Sequence, residues 1–355
     1  MSLPAASVIR VLVVDDSALV RKILAEGLAR DPEIQVVGQA SDPYRARDLL
    51  VELRPDVMTL DVEMPRMDGV TFLKRFMPIL PTPTVVVSSL TQHGKSLTLE
   101  ALAAGAVDVV AKPVVGLVDG LPTMLDDIIR RVKAAARANV SRTSKLSARP
   151  QVRSLHPGGA MDETTDRVIA IGASTGGVEA LSRILPTFPA DAPGIVIVQH
   201  MPVGFTAAFA ERLDTLCKMR VKEAAKGDRV MAGLILIAPG GKQHLSVVRS
   251  GGEYRITLEE GPEINFSRPS VDVLFESVAR GVGRNAAAAL LTGMGKDGAA
   301  GLLAIRKSGG RTIAQNEATS VIYGMPQAAA QLGAAEVMAP LGDIPALLVK
   351  ALKQH

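Results

Sequence analysis

Short apolar runs alternate along the chain with stretches whose apolar positions recur at helical spacing. In the first part RVLVVDD, QVVGQA, DVMTLD, TVVVSS and DVVAKP are β-rich runs, several of them ending in an acid or a hydroxyl. Between and after them Ala18 to Ala29, Pro43 to Glu52, Gly69 to Phe76, Lys95 to Ala104 and a segment from Thr123 onward carry a helical period. Five strands alternating with five helices predict a parallel α/β sheet covered on both faces. Sheets of this kind collect their chemistry at the carboxyl ends of the strands.

The alternation dissolves after about Ala134. ARANVSRTSKLSARPQVRSLHPGGAMDETTD is rich in Ser, Arg, Pro and Gly and has no apolar period, so a basic, flexible tether is expected over 131–164. A second alternation begins at Arg167. RVIAIG, GIVIVQH, LILIAP and AAALLTG are strand candidates, and helical stretches follow several of them. HLSVVRSGGEYRITLEE places Ser-Gly-Gly between two alternating runs and predicts a hairpin. The expected organisation is therefore one α/β domain over 8–130, the tether, and a second doubly wound, mostly parallel α/β domain over 165–355.

Composition removes several classes of function. With 355 residues, 47% apolar and 21% charged, the chain can bury two cores and is not a disordered polyelectrolyte. The net charge is +4, yet eight Lys or Arg and no acid lie between Ile128 and Met161, so the rest of the chain is net negative. Aromatics are 3% with no Trp, which leaves little to stack on bases. Nucleic acid is accordingly not an expected partner. Cys217 stands alone, so neither an intrachain disulfide nor a cysteine zinc cluster is possible. The N-terminal apolar run, Val11 to Val14, is too short for a signal-peptide core, and no segment approaches the ~20 apolar residues of a membrane helix. A cytoplasmic protein without membrane insertion is expected.

Asp15 and Asp16 follow one strand, Asp61 ends another, Ser88 ends TVVV and Lys112 follows DVVA. A parallel sheet brings all five to one rim. Carboxylates gathered there repel one another unless a hard cation joins them, and Mg2+ prefers carboxylate and phosphate oxygens. A lysine and a hydroxyl alongside can pair with an added phosphoryl group, and aspartate can accept one covalently. VLVVDDS, LDVEMPRMDG, VSSLT and AKP resemble, in order, the motifs of the flavodoxin-like receiver domain of bacterial response regulators. The resemblance implies that Asp61 is the phosphoacceptor, that Asp15, Asp16, Asp61 and the backbone of Glu63 hold Mg2+, and that Ser88 and Lys112 sense the phosphoryl group. It implies a histidine kinase of the chemotaxis type as phosphodonor. Receivers usually carry an aromatic residue three positions before the lysine. Val109 stands there, so an aromatic rotamer switch is absent and the signal must pass through shifts around Ser88 or by another route.

In the second domain, Gly172-Ala173-Ser174-Thr175-Gly176 follows the strand RVIAI as a G-x-S-x-G turn, which can lift a serine onto a helix N-terminus. Such turns also hold nucleotide phosphates, but no Walker lysine follows. Of the five histidines, His93 lies in the first domain, His156 in the tether and His355 at the end. His200, ending GIVIVQ, is the better candidate base; His244, after APGGKQ, shows no direct role. Asp297, in the glycine-rich LLTGMGKDG, is the candidate orienting acid. IGASTGG, VQHMP, APGGKQH and LTGMGKDGAAG resemble the catalytic domain of the chemotaxis protein-glutamate methylesterases, in which a receiver precedes the esterase. The resemblance implies hydrolysis of glutamyl methyl esters, and deamidation of glutamines, on the cytoplasmic domains of methyl-accepting chemoreceptors. It implies recruitment to receptor arrays at the inner face of the membrane. By it Ser174, His200 and Asp297 form the catalytic set, the Met294 backbone supplies an oxyanion donor, and no cofactor serves the ester chemistry. Met201 and Met325 are expected in the core. An esterase acting on another ester, a DNA-binding output and a nucleotide-binding module are the competing readings. The last two want a recognition helix or a phosphate-loop lysine, and neither is present.

Overall fold

The computed structural model describes residues 8–112, 121–138 and 167–353. They form two compact units.

The first unit is a five-stranded parallel sheet in the order β2-β1-β3-β4-β5. Its strands are β1 (Ile9–Val14), β2 (Ile34–Ala40), β3 (Val57–Asp61), β4 (Thr84–Ser88) and β5 (Asp108–Ala111). Helices α1 (Ala18–Leu28), α2 (Pro43–Leu53), α3 (Gly69–Phe76), α4 (Gln92–Ala103) and α5 (Leu121–Ala135) alternate with them. β3 and β4 are buried at every position, as their unbroken apolar runs demand of central parallel strands. The helix starts follow side-chain chemistry. Ser17, Asp42, Asp68 and Thr91 each accept a first-turn backbone N–H, a contact that contributes ~1 kcal/mol per cap.

Helix α5 runs past the boundary expected at residue 130. Arg131 lies 2.6 Å from Asp108 and 2.9 Å from Asp127, and Lys133 lies 3.0 Å from Asp31 and 2.8 Å from Glu33. These basic residues therefore pair with acids of the first unit. Of the tether expected at 131–164, residues 139–164 lie outside the described residues, as do His156 and His355.

The second unit is built on a seven-stranded parallel sheet in the order β15-β14-β13-β6-β7-β10-β8. The strands are β6 (Val168–Ala173), β7 (Gly194–Gln199), β8 (Arg220–Glu223), β10 (Leu234–Ile237), β13 (Ala286–Leu290), β14 (Arg311–Gln315) and β15 (Val337–Ala339). A smaller antiparallel sheet joins β9 (Arg229–Val230) to the expected hairpin of β11 (Gln243–Ser250) and β12 (Glu253–Glu260). That hairpin closes through Gly251 and Gly252, with Ser250 paired to Glu253. Helices α6 (Gly177–Ile184), α7 (Phe205–Leu216), α8 (Val271–Gly281), α9 (Ala299–Lys307), α10 (Met325–Gln331) and α11 (Ile344–Lys353) complete the unit.

The chain leaves β6 toward β7 on one side and returns to β13 on the other. The strand order thus reverses around β6, the place where open α/β sheets leave a crevice at their carboxyl edge. Ser174 follows β6, His200 follows β7 and the Gly293–Asp297 loop follows β13. Three adjacent strands therefore deliver the three catalytic candidates to one crevice.

Candidate active site and phosphoacceptor site

Ser174 is held through its backbone. Its N–H donates to Thr292 O at 3.0 Å, and its carbonyl accepts from Gly177 N at 2.7 Å. The resulting tight turn needs a left-handed residue before α6. Gly176 has φ +79°, and a side chain there would also strike Val321. The hydroxyl-bearing residue thus sits between a strand end and a helix N-terminus, with 9% of its surface exposed.

Gln199, the last residue of β7, couples this turn to the candidate base. Its side-chain amide donates to Ser174 O at 2.9 Å and to His200 O at 3.1 Å. Gln199 Oε1 is buried, accepts no hydrogen bond and lies against Gly177.

The His200 ring is used in a definite sense. Nε2 lies 2.9 Å from Asp297 Oδ2, and Nδ1 lies 3.3 Å from Ser267 Oγ. A carboxylate only accepts, so Nε2 carries the proton and Nδ1 holds the basic lone pair. Asp297 itself is 2% exposed and sits at the N-terminus of α8. It accepts from Ser270 Oγ and Val271 N at 2.7 Å each, from Asp272 N at 3.2 Å and from Asn265 Nδ2 at 3.3 Å. Burial pushes its carboxyl up, but the bonds from His200, Ser270 and Val271 outweigh that and hold it below the ordinary value. Its neighbour Asp272 is pushed the other way, to about 6, first by burial and then by the nearby Asp297 charge, against the Gly301 N–H.

Met294 is 39% exposed on the loop after β13. The surrounding backbone bonds run through Gly293, from its N–H to Ile322 O and from Gly324 and Met325 N–H to its carbonyl. Gly293 is a close-approach position: a Cβ there would lie 2.2 Å from Met325 Sδ and 2.8 Å from Ser174 Cβ. Met325 is fully buried and Met201 nearly so, as expected of core residues. Gly293→Ala is expected to displace Ser174 or the Met294 peptide and lower kcat about tenfold or more. Steady-state ester hydrolysis checks this, and an unchanged kcat would mean that the loop yields without cost.

On the first unit four of the five rim residues bring their side chains together, and Ser88 joins them through its carbonyl, which accepts from Lys112 N at 2.7 Å. Asp15, Asp16 and Asp61 each offer a carboxylate oxygen within 4.8 Å of the others. Asp15 and Asp61 are fully buried. Lys112 Nζ lies 2.6 Å from Asp61 Oδ2 and 3.1 Å from Asp15 Oδ2. Asp15 Oδ2 nonetheless accepts no well-aligned hydrogen bond, as a carboxylate oxygen shaped for a cation would. Burial first, against the Lys112 bond, pushes Asp61 up to about 6. Glu63 N–H donates to Asp61 Oδ1 at 3.0 Å, while the Glu63 carboxylate accepts from Ser89 and Thr91. Ser88 Oγ donates to Gly94 O at 3.1 Å in the first turn of α4. Val109 is a buried strand residue.

Fold and sites together define a response regulator whose output is a hydrolase-like parallel α/β domain rather than a DNA-binding one. Residues 11–117 match the response regulator receiver domain and residues 169–348 match the CheB methylesterase domain. The chain belongs to the CheB methylesterase family. It is 55% identical to the protein-glutamate methylesterase/protein-glutamine glutaminase of Syntrophotalea carbinolica, over 98% of each chain. It is 52% identical to protein-glutamate methylesterase/protein-glutamine glutaminase 2 of Pseudomonas aeruginosa, over 96% of each. Among solved structures it is similar to the Thermotoga maritima CheB methylesterase catalytic domain, with 39% identity and a TM-score of 0.51, covering 52% of this chain and 97% of that one.

Ser267, Ser270, Asn265 and Gln199 were not legible as site residues. Only Ser270 carries a local signal, a serine directly before the apolar-periodic VDVLFESV that marks a helix start.

Proposed function

We propose that the second unit hydrolyses glutamyl methyl esters, and deamidates glutamines, on chemoreceptor cytoplasmic domains, and that phosphorylation of Asp61 controls it. The observation that carries the reading is the His200–Asp297 pair at 2.9 Å, set beside a serine turn on adjacent strand ends. Ser174 Oγ attacks the ester carbonyl while His200 Nδ1, leaving Ser267, takes its proton. Catalytic hydrogen bonds of this kind tighten when substrate arrives. The Met294 N–H accommodates the oxyanion, a contribution whose loss typically costs ~100-fold or more. Collapse expels methanol, which leaves with the proton from Nδ1. Water then attacks the acyl-enzyme, Nδ1 again takes a proton, and glutamate and free Ser174 are restored. A glutamine side chain follows the same path with ammonia as leaving group.

On the receiver, three carboxylates whose oxygens lie within 4.8 Å of one another fit a hard cation. Asp15, Asp16, Asp61 and the Glu63 carbonyl would hold Mg2+, which offsets the charge of an incoming phosphoryl group. Lys112 would shift from Asp15 and Asp61 toward the phosphoryl oxygens. The Ser88 hydroxyl, drawn the same way, would release the Gly94 carbonyl and loosen the first turn of α4. A histidine kinase is the expected donor. No helix among the described residues is long and apolar enough to cross a membrane, so recruitment to receptors at the inner membrane face would rest on protein contacts.

Tritiated methyl-ester receptor fragments test the reading. Methanol release is expected to rise with a small phosphodonor plus Mg2+ in the wild type, and to show no rise in Asp61→Ala. Stimulation that survives Asp61→Ala would assign the regulation elsewhere. No release from several receptor fragments, with folded protein, would leave an esterase for another ester.

A further inference from the structure

We infer that His244 is a positioning residue for the catalytic acid, acting through the Ser270 peptide. His244 lies on β11, in the small antiparallel sheet, and is 6% exposed. Both ring nitrogens are engaged. Nε2 is 2.8 Å from Pro262 O, and Nδ1 is 3.1 Å from Ser270 N. A carbonyl oxygen only accepts and a backbone N–H only donates. The neutral ring with its proton on Nε2 is the form that satisfies both contacts.

Ser270 is fully buried and caps α8. From this point the chain supplies three successive donors to Asp297: Ser270 Oγ, Val271 N and Asp272 N. His244 Nδ1 therefore fixes the peptide that aims the cradle, the cradle aims Asp297, and Asp297 aims His200. His244 touches neither Ser174 nor the reacting atoms. Its effect belongs in the alignment of the base, where a 1 Å error far from the chemistry can cost about 100-fold.

The inference rests on the proposed roles of Ser174, His200 and Asp297, so its test has one arm with substrate and one without. With full-length protein and methyl-ester receptor fragments, His244→Asn is expected to keep kcat within about threefold, because its Oδ1 can take the place of Nδ1. His244→Gln and His244→Leu, which offer no acceptor there, are expected to lose about tenfold or more in kcat with KM unchanged. Equal activity in all three, or a loss that appears in KM, would overturn the inference. The second arm is imidazole nitrogen NMR of the uncomplexed protein. It is expected to show His244 protonated at Nε2 alone, and a His200 Nε2 proton resonance that His244→Asn preserves and His244→Gln shifts. A His244 ring protonated at Nδ1, or a His200 resonance indifferent to both variants, overturns the inference whether or not receptor esters prove to be the substrate. Circular dichroism identifies any variant that fails to fold, and the tautomer of the wild type then decides.

Discussion

Replacing Ser174 with alanine is expected to reduce kcat by roughly 10^4- to 10^6-fold, the range seen when a hydrolytic nucleophile is removed, while leaving the fold intact. The contacts that hold this position use main-chain atoms: its N–H to Thr292, and its carbonyl to Gly177 and Gln199. Alanine retains every one of them. The chain's one thiol is not a substitute nucleophile. Cys217 is the single cysteine, and burial followed by the Asp214 charge pushes its thiol up to about 11, far from a thiolate at neutral pH. Methanol release and mass spectrometry of trapped acyl-enzyme read the chemistry, and a thermal midpoint reads the fold. Activity within tenfold of wild type, with the midpoint unchanged, would remove Ser174 from the mechanism.

Asp297→Asn is expected to combine a loss of about 10^4-fold in kcat with a loss of stability. Five donors converge on the two carboxylate oxygens. An amide can meet only one side of that convergence with an acceptor. Its NH2 group must face buried donors or turn toward His200, where it would favour the tautomer protonated at Nδ1 and remove the base. The pH dependence has a definite sign. Asp297 is held below the ordinary carboxylate value in the folded state, so its stabilising contribution is present above about pH 4 and is lost as pH falls through the lower folded value. The stability gap between wild type and variant should persist across neutral pH and narrow only in acid. Denaturant titrations at several pH values check this, and a gap that closed near neutrality would contradict the bonding around Asp297. A kcat loss smaller than tenfold would assign His200 another partner.

The candidate site positions were legible because parallel sheets collect acids, hydroxyls and glycines at strand ends, where they interrupt apolar runs. Asp15, Asp61, Ser88 and Lys112 sit at such breaks, and so do Ser174 and His200. Three strands of the second sheet were not legible. β8 and β15 are short edge strands carrying exposed residues, so no apolar run announces them. β14, RTIAQ, hides polar side chains in the interior by bonding them. Thr312 Oγ1 donates to Ala334 O at 2.7 Å, and Gln315 donates to Thr319 O at 2.7 Å. The supporting cast around Asp297 was equally hidden. Asn265, Ser267 and Ser270 come from a loop preceding a helix, and only tertiary folding carries that loop to residues 26 to 67 positions away.

An enzyme that removes amide nitrogen from glutamine keeps a glutamine of its own beside its candidate nucleophile. Both amide hydrogens of Gln199 are committed to carbonyls, one of them belonging to Ser174, and its oxygen is wedged against Gly177 at the base of a helix. The same side chain that joins the candidate nucleophile to the candidate base thus turns its amide hydrogens to their carbonyls. Conversion to glutamate would set a negative charge against the two carbonyls it now joins, so the contacts that make Gln199 useful require it to remain an amide.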